Sequence, residues 1–313
     1  MCDDSIFELT VKDFSTILDI DESIFHPEII KSIRDSNLRY THINKEDRDK
    51  IIISLLEKID KNKFSITGKK EKWEKGWEES LEEFIKSNFD ENFLIPKYNK
   101  KNKFIRIYGD YVRSVDDNFE NRFINVLRNI IYYTYLKDKK YIYDFGCGTA
   151  YHLVDFSKKD TSKIYYGFDW VQQSKEILQH IKNNYNLNIN GVLFDLFNPD
   201  FNLHVEKDSV LITMLSLEQL GKDFDSFLDF MLKKPFSLYI HVNSILEFYD
   251  IENNLPDYIV YKTEIKRNYL NGYFTKLKQL EDKKIIRILK MKKIPIGALE
   301  TDGYSLTVWE KRN

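Results

Sequence analysis

Two patterns of apolar residues divide the chain. From residue 1 to about 100, apolar residues recur at helical spacing, as in 51–59 and 73–85, and short polar breaks separate these runs. From about residue 120, short apolar runs alternate with amphipathic segments, which is typical of strands alternating with helices. With the polar run 97–103 as the boundary, the pattern predicts a helical N-terminal cap over residues 1–100 and an α/β domain over residues 101–313.

The second region contains the predicted sheet. Its strands are expected at 140–145, 163–169, 190–195, 209–214, 237–242, 285–291 and 304–309. Helices are expected between them, including an amphipathic helix that ends near Ile131 and one long helix around 262–282. Five strands that alternate with helices, followed by a terminal pair, predict a mostly parallel, doubly wound sheet.

The turn after the first of these strands carries the clearest chemical signal. It contains Asp144, Gly146, Gly148 and Ala150, and small residues there let a ligand approach backbone N–H groups at a helix N-terminus. The dinucleotide fingerprint requires a third glycine where this chain has Tyr151, so a nicotinamide-dependent oxidoreductase is disfavoured. An acid two positions before the first glycine suits a cofactor with an ammonium group, such as S-adenosylmethionine.

Two further carboxylates follow the next two strands. Asp169 comes twenty-three residues after Gly146, in the range of an acid that accepts ribose hydroxyls, and Trp170 beside it would stack on an adenine. Asp195, followed by Leu196, would accept a hydrogen bond from the adenine amine. Because ligands of open α/β sheets lie beyond the carboxyl ends of the strands, the three acids predict one site.

In these residues the chain resembles the class I S-adenosylmethionine-dependent methyltransferases, over residues 120–313. The family pattern is an acid followed by G-x-G-x-G, and its last glycine is Ala150 here. The resemblance implies a Rossmann-like seven-stranded sheet in the order 3-2-1-4-5-7-6, with the seventh strand antiparallel. It also implies that the cofactor contacts Asp144, Gly146, Gly148, Asp169, Trp170, Asp195, Leu196 and Met214. A weaker similarity points to bacterial small-molecule methyltransferases, some of them suspected of modifying sugars.

The methyl acceptor is expected beyond the fourth and fifth strands. No Asn/Asp-Pro-Pro-Tyr motif of amino-group DNA methyltransferases follows the fourth strand, and the net charge of −2 gives no basic footprint for nucleic acid. A small polar metabolite, such as a sugar or a surface-polysaccharide precursor, is the expected acceptor. His241 and Glu218 are the candidate bases. A hydrogen-bonded core histidine and a carboxylate at a helix N-terminus are equally open interpretations of the two residues.

Helical extensions of this family commonly cover the acceptor pocket, and the cap offers candidates for that role. Trp73 and Trp77 stand in an aromatic and charged segment, although tryptophans four apart are also typical of a core helix face. Arg106 would meet the carboxylate of the methionyl group, and Tyr111 would close over the sulfonium, which tolerates an aromatic face.

Composition excludes other classes of protein. The 313 residues are 42% hydrophobic and 31% charged, as in a folded globular chain. The six histidines form no metal-binding pair and two cysteines cannot build a cysteine-ligated zinc site, so no metal is expected. No apolar run is long enough for a membrane span and the acidic start differs from a signal peptide, so a cytoplasmic monomer or homodimer is expected. A catalytically silent cofactor-binding or interaction module remains the alternative to an enzyme.

Overall fold

The computed structural model describes residues 5–64, 70–97, 103–301 and 304–312. The strands in these ranges are β1 (Ile6–Glu8), β2 (Arg39–His42), β3 (Phe104–Ile107), β4 (Asp110–Ser114), β5 (Tyr141–Phe145), β6 (Ile164–Asp169), β7 (Ile189–Leu193), β8 (Ser209–Met214), β9 (Leu238–Asn243), β10 (Ile286–Lys292), β11 (Ile296–Gly297) and β12 (Ser305–Lys311). The α-helices are α1 (Val11–Leu18), α2 (Pro27–Ser36), α3 (Lys45–Asp60), α4 (Lys70–Lys86), α5 (Phe119–Ile131), α6 (Tyr151–Lys159), α7 (Gln172–Tyr185), α8 (Asp225–Lys233), α9 (Leu255–Arg267) and α10 (Tyr273–Asp282).

A seven-stranded, mostly parallel sheet forms the centre of the molecule. Its strand order is β10-β12-β9-β8-β5-β6-β7, and β12 runs antiparallel to both of its neighbours. Counted in chain order within this sheet alone, the order is 3-2-1-4-5-7-6 with an antiparallel seventh strand. The predicted α/β class, the Rossmann-like strand order and the orientation of the last strand are therefore confirmed.

The parallel register brings the expected acids to one edge of the sheet. On β5, Asp144 pairs with Gly167 of β6 on one side and with Ile212 of β8 on the other. On β6, Asp169 pairs with Leu193 at the end of β7. The chain order reverses on the two sides of β5, and a ligand of an open α/β sheet binds at such a switch point.

Helices cover both faces of this sheet, so its central strands are buried on both sides. Successive side chains of a strand alternate between the faces, and on β5 Ile142 belongs to one hydrophobic cluster and Tyr143 to the other. The helix α5 packs in the first cluster through Phe123, and α8 packs in the second through Phe227. Burial on both faces explains why these strands read as continuous apolar runs in the sequence.

The N-terminal region is mostly helical, but it also contributes to a second, five-stranded sheet. The order of this sheet is β1-β2-β4-β3-β11, and every pairing in it is antiparallel. It joins strands from both sides of the expected boundary, most of which, residues 98–102, lies outside the described residues. The strand β11 lies in the segment that connects β10 to β12. The first 100 residues thus contribute β1 and β2 to this sheet besides their helices, and a domain boundary near residue 100 stays a prediction.

The long helix expected around 262–282 is two helices. The first, α9, ends at Asn268, whose φ is +58°, and α10 begins after Gly272, whose φ is +88°. Residues with positive φ cannot continue a right-handed helix, and asparagine and glycine adopt this conformation most easily. Among the described helices, none is long and apolar enough to cross a membrane.

Candidate functional site

A pocket opens at the carboxyl ends of β5, β6 and β8, at the switch point of the sheet. Its empty volume is about 730 Å³ with the open mouth included. The glycine turn, the ends of two neighbouring strands, the loop after β8 and two tryptophans of α4 form its wall. The lining residues include Trp73, Trp77, Gly146, Cys147, Gly148, Thr149, Tyr151, His152, Asp169, Trp170, Phe194, Leu196, Phe197, Met214, Leu215, Ser216 and Gln219.

The glycine turn is held against the neighbouring strand. The backbone N–H groups of Gly146 and Cys147 donate to the carbonyl of Phe168, over 2.7 and 3.0 Å. Gly146 has φ +77°, and a Cβ added to it would overlap the side chain of Ser216. Ala150, where the family pattern has its last glycine, takes the same left-handed region with φ +61°. Glycine is required at 146 for both its backbone conformation and the close approach of the β8 loop.

Asp169, the predicted ribose-binding acid, lies in the wall of the pocket. Its Oδ2 accepts a hydrogen bond from the Gly148 N–H over 2.9 Å, and its Oδ1 accepts one from the Val171 N–H over 3.0 Å. Burial raises the pKa of this carboxyl to about 6, against the effect of these hydrogen bonds.

Asp144 is the least satisfied carboxyl group near the pocket. It is 1% exposed, and neither of its oxygens has a hydrogen-bond partner among the described residues. Burial, and secondarily the charge of Asp169, raise the pKa of Asp144 to about 8. An unpartnered buried carboxyl costs free energy that a bound cation would offset. Asp144 lies next to the glycine turn but is not among the described residues that line the pocket, and its contact with a ligand ammonium group stays a prediction.

Aromatic side chains form the far wall of the pocket. The rings of Trp170 and Phe197 are stacked with centroids 5.6 Å apart, and Leu196 also lines the pocket. Asp195 instead faces a shallow neighbouring cleft, where its Oδ1 accepts from the Phe197 N–H and its Oδ2 from the Asn198 amide, both over 2.9 Å. Its carboxylate fixes the turn that carries the aromatic wall, whereas the sequence suggested direct contact with an adenine.

The loop after β8 is strained and held by one side chain. Leu215 has φ +57°, an unfavourable conformation for leucine that is often found at functional sites. The Asn243 Oδ1 accepts hydrogen bonds from the N–H groups of Ser216 and Leu217 over 3.3 and 3.1 Å, and the Ser216 hydroxyl donates to the Phe145 carbonyl over 2.7 Å. Asn243 thus positions the loop that carries Met214 and Leu215 into the wall.

Replacing Asn243 by alanine should release this loop. Two buried N–H groups would lose their acceptor, so we expect the free energy of unfolding to fall by about 2–3 kcal/mol, measured by urea denaturation. Asn190→Ala is the control, since Asn190 only accepts a hydrogen bond from the exposed Lys182. Equal unfolding midpoints for the two variants would contradict the positioning role.

Two tryptophans of α4 cover the glycine turn. The ring centroids of Trp73 and Trp77 are 5.4 Å apart, and both side chains line the pocket. A Cβ added to Gly148 would lie 2.8 Å from the Cζ2 atom of Trp77, so the indole rests on the glycine. The cap region thus reaches the pocket through α4, and its tryptophans are pocket-wall residues as well as packing residues.

His241 does not lie at the mouth of the pocket and is not placed to act as a base. Its Nδ1 is 2.8 Å from the Thr213 hydroxyl, and its Nε2 accepts from Trp309 Nε1 and is bonded to the Tyr273 hydroxyl, both over 3.1 Å. Burial lowers its pKa to about 3. The side chain is a hydrogen-bonded core histidine, which was the other interpretation of the sequence.

Glu218 is buried directly behind the pocket wall. Its neighbours Ser216 and Gln219 line the pocket, whereas Glu218 is absent from the wall that the described residues form. Burial, and the nearby charge of Glu264, raise its pKa to about 8, and its Oε2 has no hydrogen-bond partner among the described residues. It lies in the single helical turn Leu217–Leu220.

Arg106 and Tyr111 lie in the five-stranded sheet and do not line the pocket. The Arg106 Nη2 donates to Asp257 Oδ1 over 2.7 Å in an ion pair that is buried on both sides. Tyr111 packs among apolar residues of α3 and α9. Both therefore connect the small sheet to helices, and the expected contacts with a methionyl carboxylate and a sulfonium are not formed by these residues.

Several wall residues had no signal of their own in the sequence. Phe194, Leu215 and Gln219 are ordinary residues whose position depends on where a strand ends and how the following loop turns. Tyr151 and His152 could have been inferred, because they directly follow the glycine turn at the start of α6.

Comparison with known proteins yields structural likeness only. No protein-family model matches the sequence, and no curated protein sequence does. The fold is similar to that of an rRNA methylase from Escherichia coli (10% identity, 75% of this chain and 76% of that one, TM-score 0.44). It is also similar to magnesium protoporphyrin IX methyltransferase from Synechocystis PCC 6803 with bound SAH (10%, 61% and 83%, 0.45) and to the [4+2]-cyclase SpnF (13%, 59% and 79%, 0.45).

Proposed function

We propose that the chain is an S-adenosylmethionine-dependent methyltransferase that methylates an oxygen or nitrogen of a small polar molecule. The observation that carries the proposal is the pair of buried carboxyl groups, Asp144 and Asp169, beside a glycine turn at the switch point of the sheet. One carboxyl has no partner and suits an ammonium group, and the other lines the pocket and suits ribose hydroxyls.

The residues present suit the ammonium group, the ribose and the adenine of this cofactor. Asp144 would bind the ammonium group, Gly146 and Gly148 leave the backbone open to close approach, and Asp169 would accept from the ribose. The apolar and aromatic wall that includes Trp170 suits an adenine ring. S-adenosylmethionine supplies, when bound, a methyl group already activated by a positively charged sulfur.

The protein's own contribution is then to orient the acceptor, exclude water and take up a proton. Trp73 and Trp77 close the pocket from the cap side, and aromatic faces tolerate a cationic sulfonium. Glu218 is the proposed base because it lies next to the wall residues Ser216 and Gln219, although it is not itself in the wall that the described residues form. With a pKa of about 8 it is ionised, and able to accept a proton, at mildly alkaline pH. Orientation of the acceptor would supply much of the rate enhancement.

A small acceptor is supported by the enclosure of the pocket. The helix α4 lies over the glycine turn, which leaves less room for a folded RNA than an open cleft would. The near-cancellation of charge also offers no broad basic surface. A sugar or a surface-polysaccharide precursor remains our proposed acceptor class.

A cofactor-binding protein without transfer activity is the second candidate. It is favoured by one observation, that neither His241 nor Glu218 is among the pocket-lining residues that the structure describes. The structure adds no support for a nicotinamide-dependent oxidoreductase. Tyr151 stands where the dinucleotide fingerprint requires its third glycine, and it is the first residue of α6.

Calorimetric titration with S-adenosylmethionine and with its demethylated product tests the proposal. We expect micromolar binding by the wild type and at least about 30-fold weaker binding by Asp169→Ala, because the ribose hydroxyls would lose their charged hydrogen-bond acceptor. Three of the four tryptophans line the pocket, so binding should also change the tryptophan fluorescence. Asp229→Ala, on the exposed side of α8, is the matched control.

The outcomes separate the two candidates. A folded wild-type protein that binds neither compound would refute both cofactor-binding proposals. Binding that is lost in Asp169→Ala, together with methylation of one of a panel of sugar nucleotides and other small polar acceptors, would support the methyltransferase. Binding without turnover of any acceptor would favour the silent module.

A further inference from the structure

A second cleft lies between α2 and α5, beside the first residue of α6. Its empty volume is about 880 Å³ with the open mouth included. Within the part of the chain that the structure describes, Tyr151 alone lines both this cleft and the pocket at the glycine turn. The two spaces are therefore neighbours that a tyrosine side chain separates.

Arg128 lies deep in this cleft with unused donors. Its side chain is 5% exposed, and its guanidinium carbon lies 4.2 Å from the ring centroid of Tyr151. Its Nη2 donates to the Asn125 Oδ1 and to the Tyr151 hydroxyl over 3.3 Å each, whereas its Nη1 has no acceptor among the described residues. Burying a guanidinium whose N–H groups have no acceptor costs free energy of folding, and a ligand that supplies an acceptor would reduce this cost.

The nearest carboxylate only partly neutralises Arg128. Asp155 Oδ2 lies 3.4 Å from the Arg128 Nε, and the same oxygen lies 2.7 Å from the Lys159 Nζ. One carboxylate is thus shared between two cations. His152 adds no charge, because burial and then the charge of Arg128 lower its pKa to about 3. A positive charge therefore remains in the cleft.

The wall around Arg128 is rich in uncharged polar groups. Ser32, Asn121, Asn125 and Asn129 line the cleft, and the Oδ1 of Asn121 is buried with no donor among the described residues. Such an atom is suited to accept a hydrogen bond from a ligand hydroxyl.

Four charged residues also line the cleft. Glu28, Lys31 and Asp35 are exposed on α2 and carry both signs, and Arg122 is paired with Asp116 over 2.5 Å. The mouth therefore carries mixed charge, and the partly neutralised Arg128 lies at depth.

We propose that this cleft is a second small-molecule site, for a ligand whose phosphate or carboxylate pairs with Arg128 and whose hydroxyl groups contact the amide and hydroxyl side chains of the wall. A planar guanidinium presents paired donors that match both kinds of oxyanion. The site does not depend on the proposed methyltransferase activity, since only Tyr151 is shared with that pocket.

Calorimetric titration with glycerol 3-phosphate, with inorganic phosphate and with glycerol tests the proposal. The wild type should bind glycerol 3-phosphate more tightly than phosphate and should not bind glycerol. Arg128→Met should weaken glycerol 3-phosphate binding at least about tenfold. Asn125→Asp should do the same, because it places a carboxylate beside the guanidinium at an exposed helix position where the fold tolerates it. Asn183→Asp, exposed on α7, makes the same charge change away from the cleft and should leave binding unchanged.

Three results would overturn the proposal. The first is no binding of either phosphate compound by the wild type at millimolar concentration. The second is equal binding by the wild type and both cleft variants. The third is that Arg128→Met weakens binding of the demethylated cofactor but not of glycerol 3-phosphate, since the guanidinium would then serve the amino-acid end of that cofactor. Thermal unfolding of each variant shows whether it is folded.

Discussion

The Asp144→Asn variant should be more stable than the wild type without ligand and should bind S-adenosylmethionine about 10- to 100-fold more weakly. The wild-type carboxyl is buried without a hydrogen-bond partner among the described residues, and its charged form is disfavoured. Asparagine removes that charge, so we expect a gain of roughly 2 kcal/mol in the free energy of unfolding at mildly alkaline pH. The loss of affinity reflects the missing charge-assisted hydrogen bond to the ammonium group.

The sign of the pH dependence follows from the direction of the pKa shift. The pKa of Asp144 in the folded state is about 8, above its ordinary value of 3.8, so the folded protein holds this proton more tightly than the unfolded chain. The resulting stabilisation is complete below the ordinary pKa and is lost as the pH rises toward 8. The stability difference between variant and wild type should therefore be small in acid and grow toward pH 8, as denaturant unfolding at several pH values would measure.

Ligand binding should respond to pH in the opposite sense. An ammonium group needs the carboxylate form, so affinity should rise with pH up to about 8, and binding below that pH should release up to one proton, which calorimetry in different buffers detects. Asp229→Asn, which removes an exposed charge, is the control. The role of Asp144 would be contradicted if both asparagine variants bound S-adenosylmethionine as tightly as the wild type.

The Gly146→Ala variant should lose about 3 kcal/mol or more of unfolding free energy and bind ligand poorly. A residue with a Cβ is disfavoured at φ +77°, and the added carbon would overlap Ser216. Ser216 cannot withdraw freely, because its hydroxyl donates to the Phe145 carbonyl and its N–H to Asn243. The β8 loop, which forms part of the pocket wall, would have to move.

Gly76→Ala is the matched control for this substitution. Gly76 lies within α4 between the two pocket tryptophans, and an added Cβ would meet nothing within 4 Å. Alanine is the better helix former, so this variant should gain about 0.5–1 kcal/mol. Urea denaturation compares the two variants. An unfolding midpoint of Gly146→Ala equal to that of the wild type would contradict the prediction. It would mean that the glycine turn can change its conformation enough to accommodate the added Cβ.

The large sheet and the glycine turn were predictable because their signals are local. A strand buried on both faces reads as an apolar run, as in Ser209–Met214, and the acid followed by two glycines forms one short segment. Strand order followed from the resemblance that this segment and the later acids carry. The break between α9 and α10 also had a local sign, the Asn271-Gly272 pair, which favours a turn.

The small sheet and several side-chain roles were not predictable because they depend on distant partners. The strand β11 has two residues and pairs with β3 through Ile296 and Ile107, far apart in the sequence. Arg106 forms its ion pair with Asp257, which no local pattern indicates. His241 and Asn243 lie two residues apart on β9 and therefore occupy equivalent positions in the strand pattern. His241 nevertheless forms hydrogen bonds within the core, whereas Asn243 accepts hydrogen bonds from the loop that lines the pocket.

The placement of β12 between β9 and β10 bears on how the polypeptide acquires its structure during synthesis. Residues 305–311 leave the ribosome after both of their partner strands, so β10 has no place in the large sheet until they arrive. Until then β9 presents an open edge, a template for pairing with other chains. The small sheet is likewise incomplete until Ile296–Gly297 has been synthesised and can pair with β3. The nascent chain therefore cannot complete either sheet from its N-terminal end, and contacts of such long sequence separation favour slow folding.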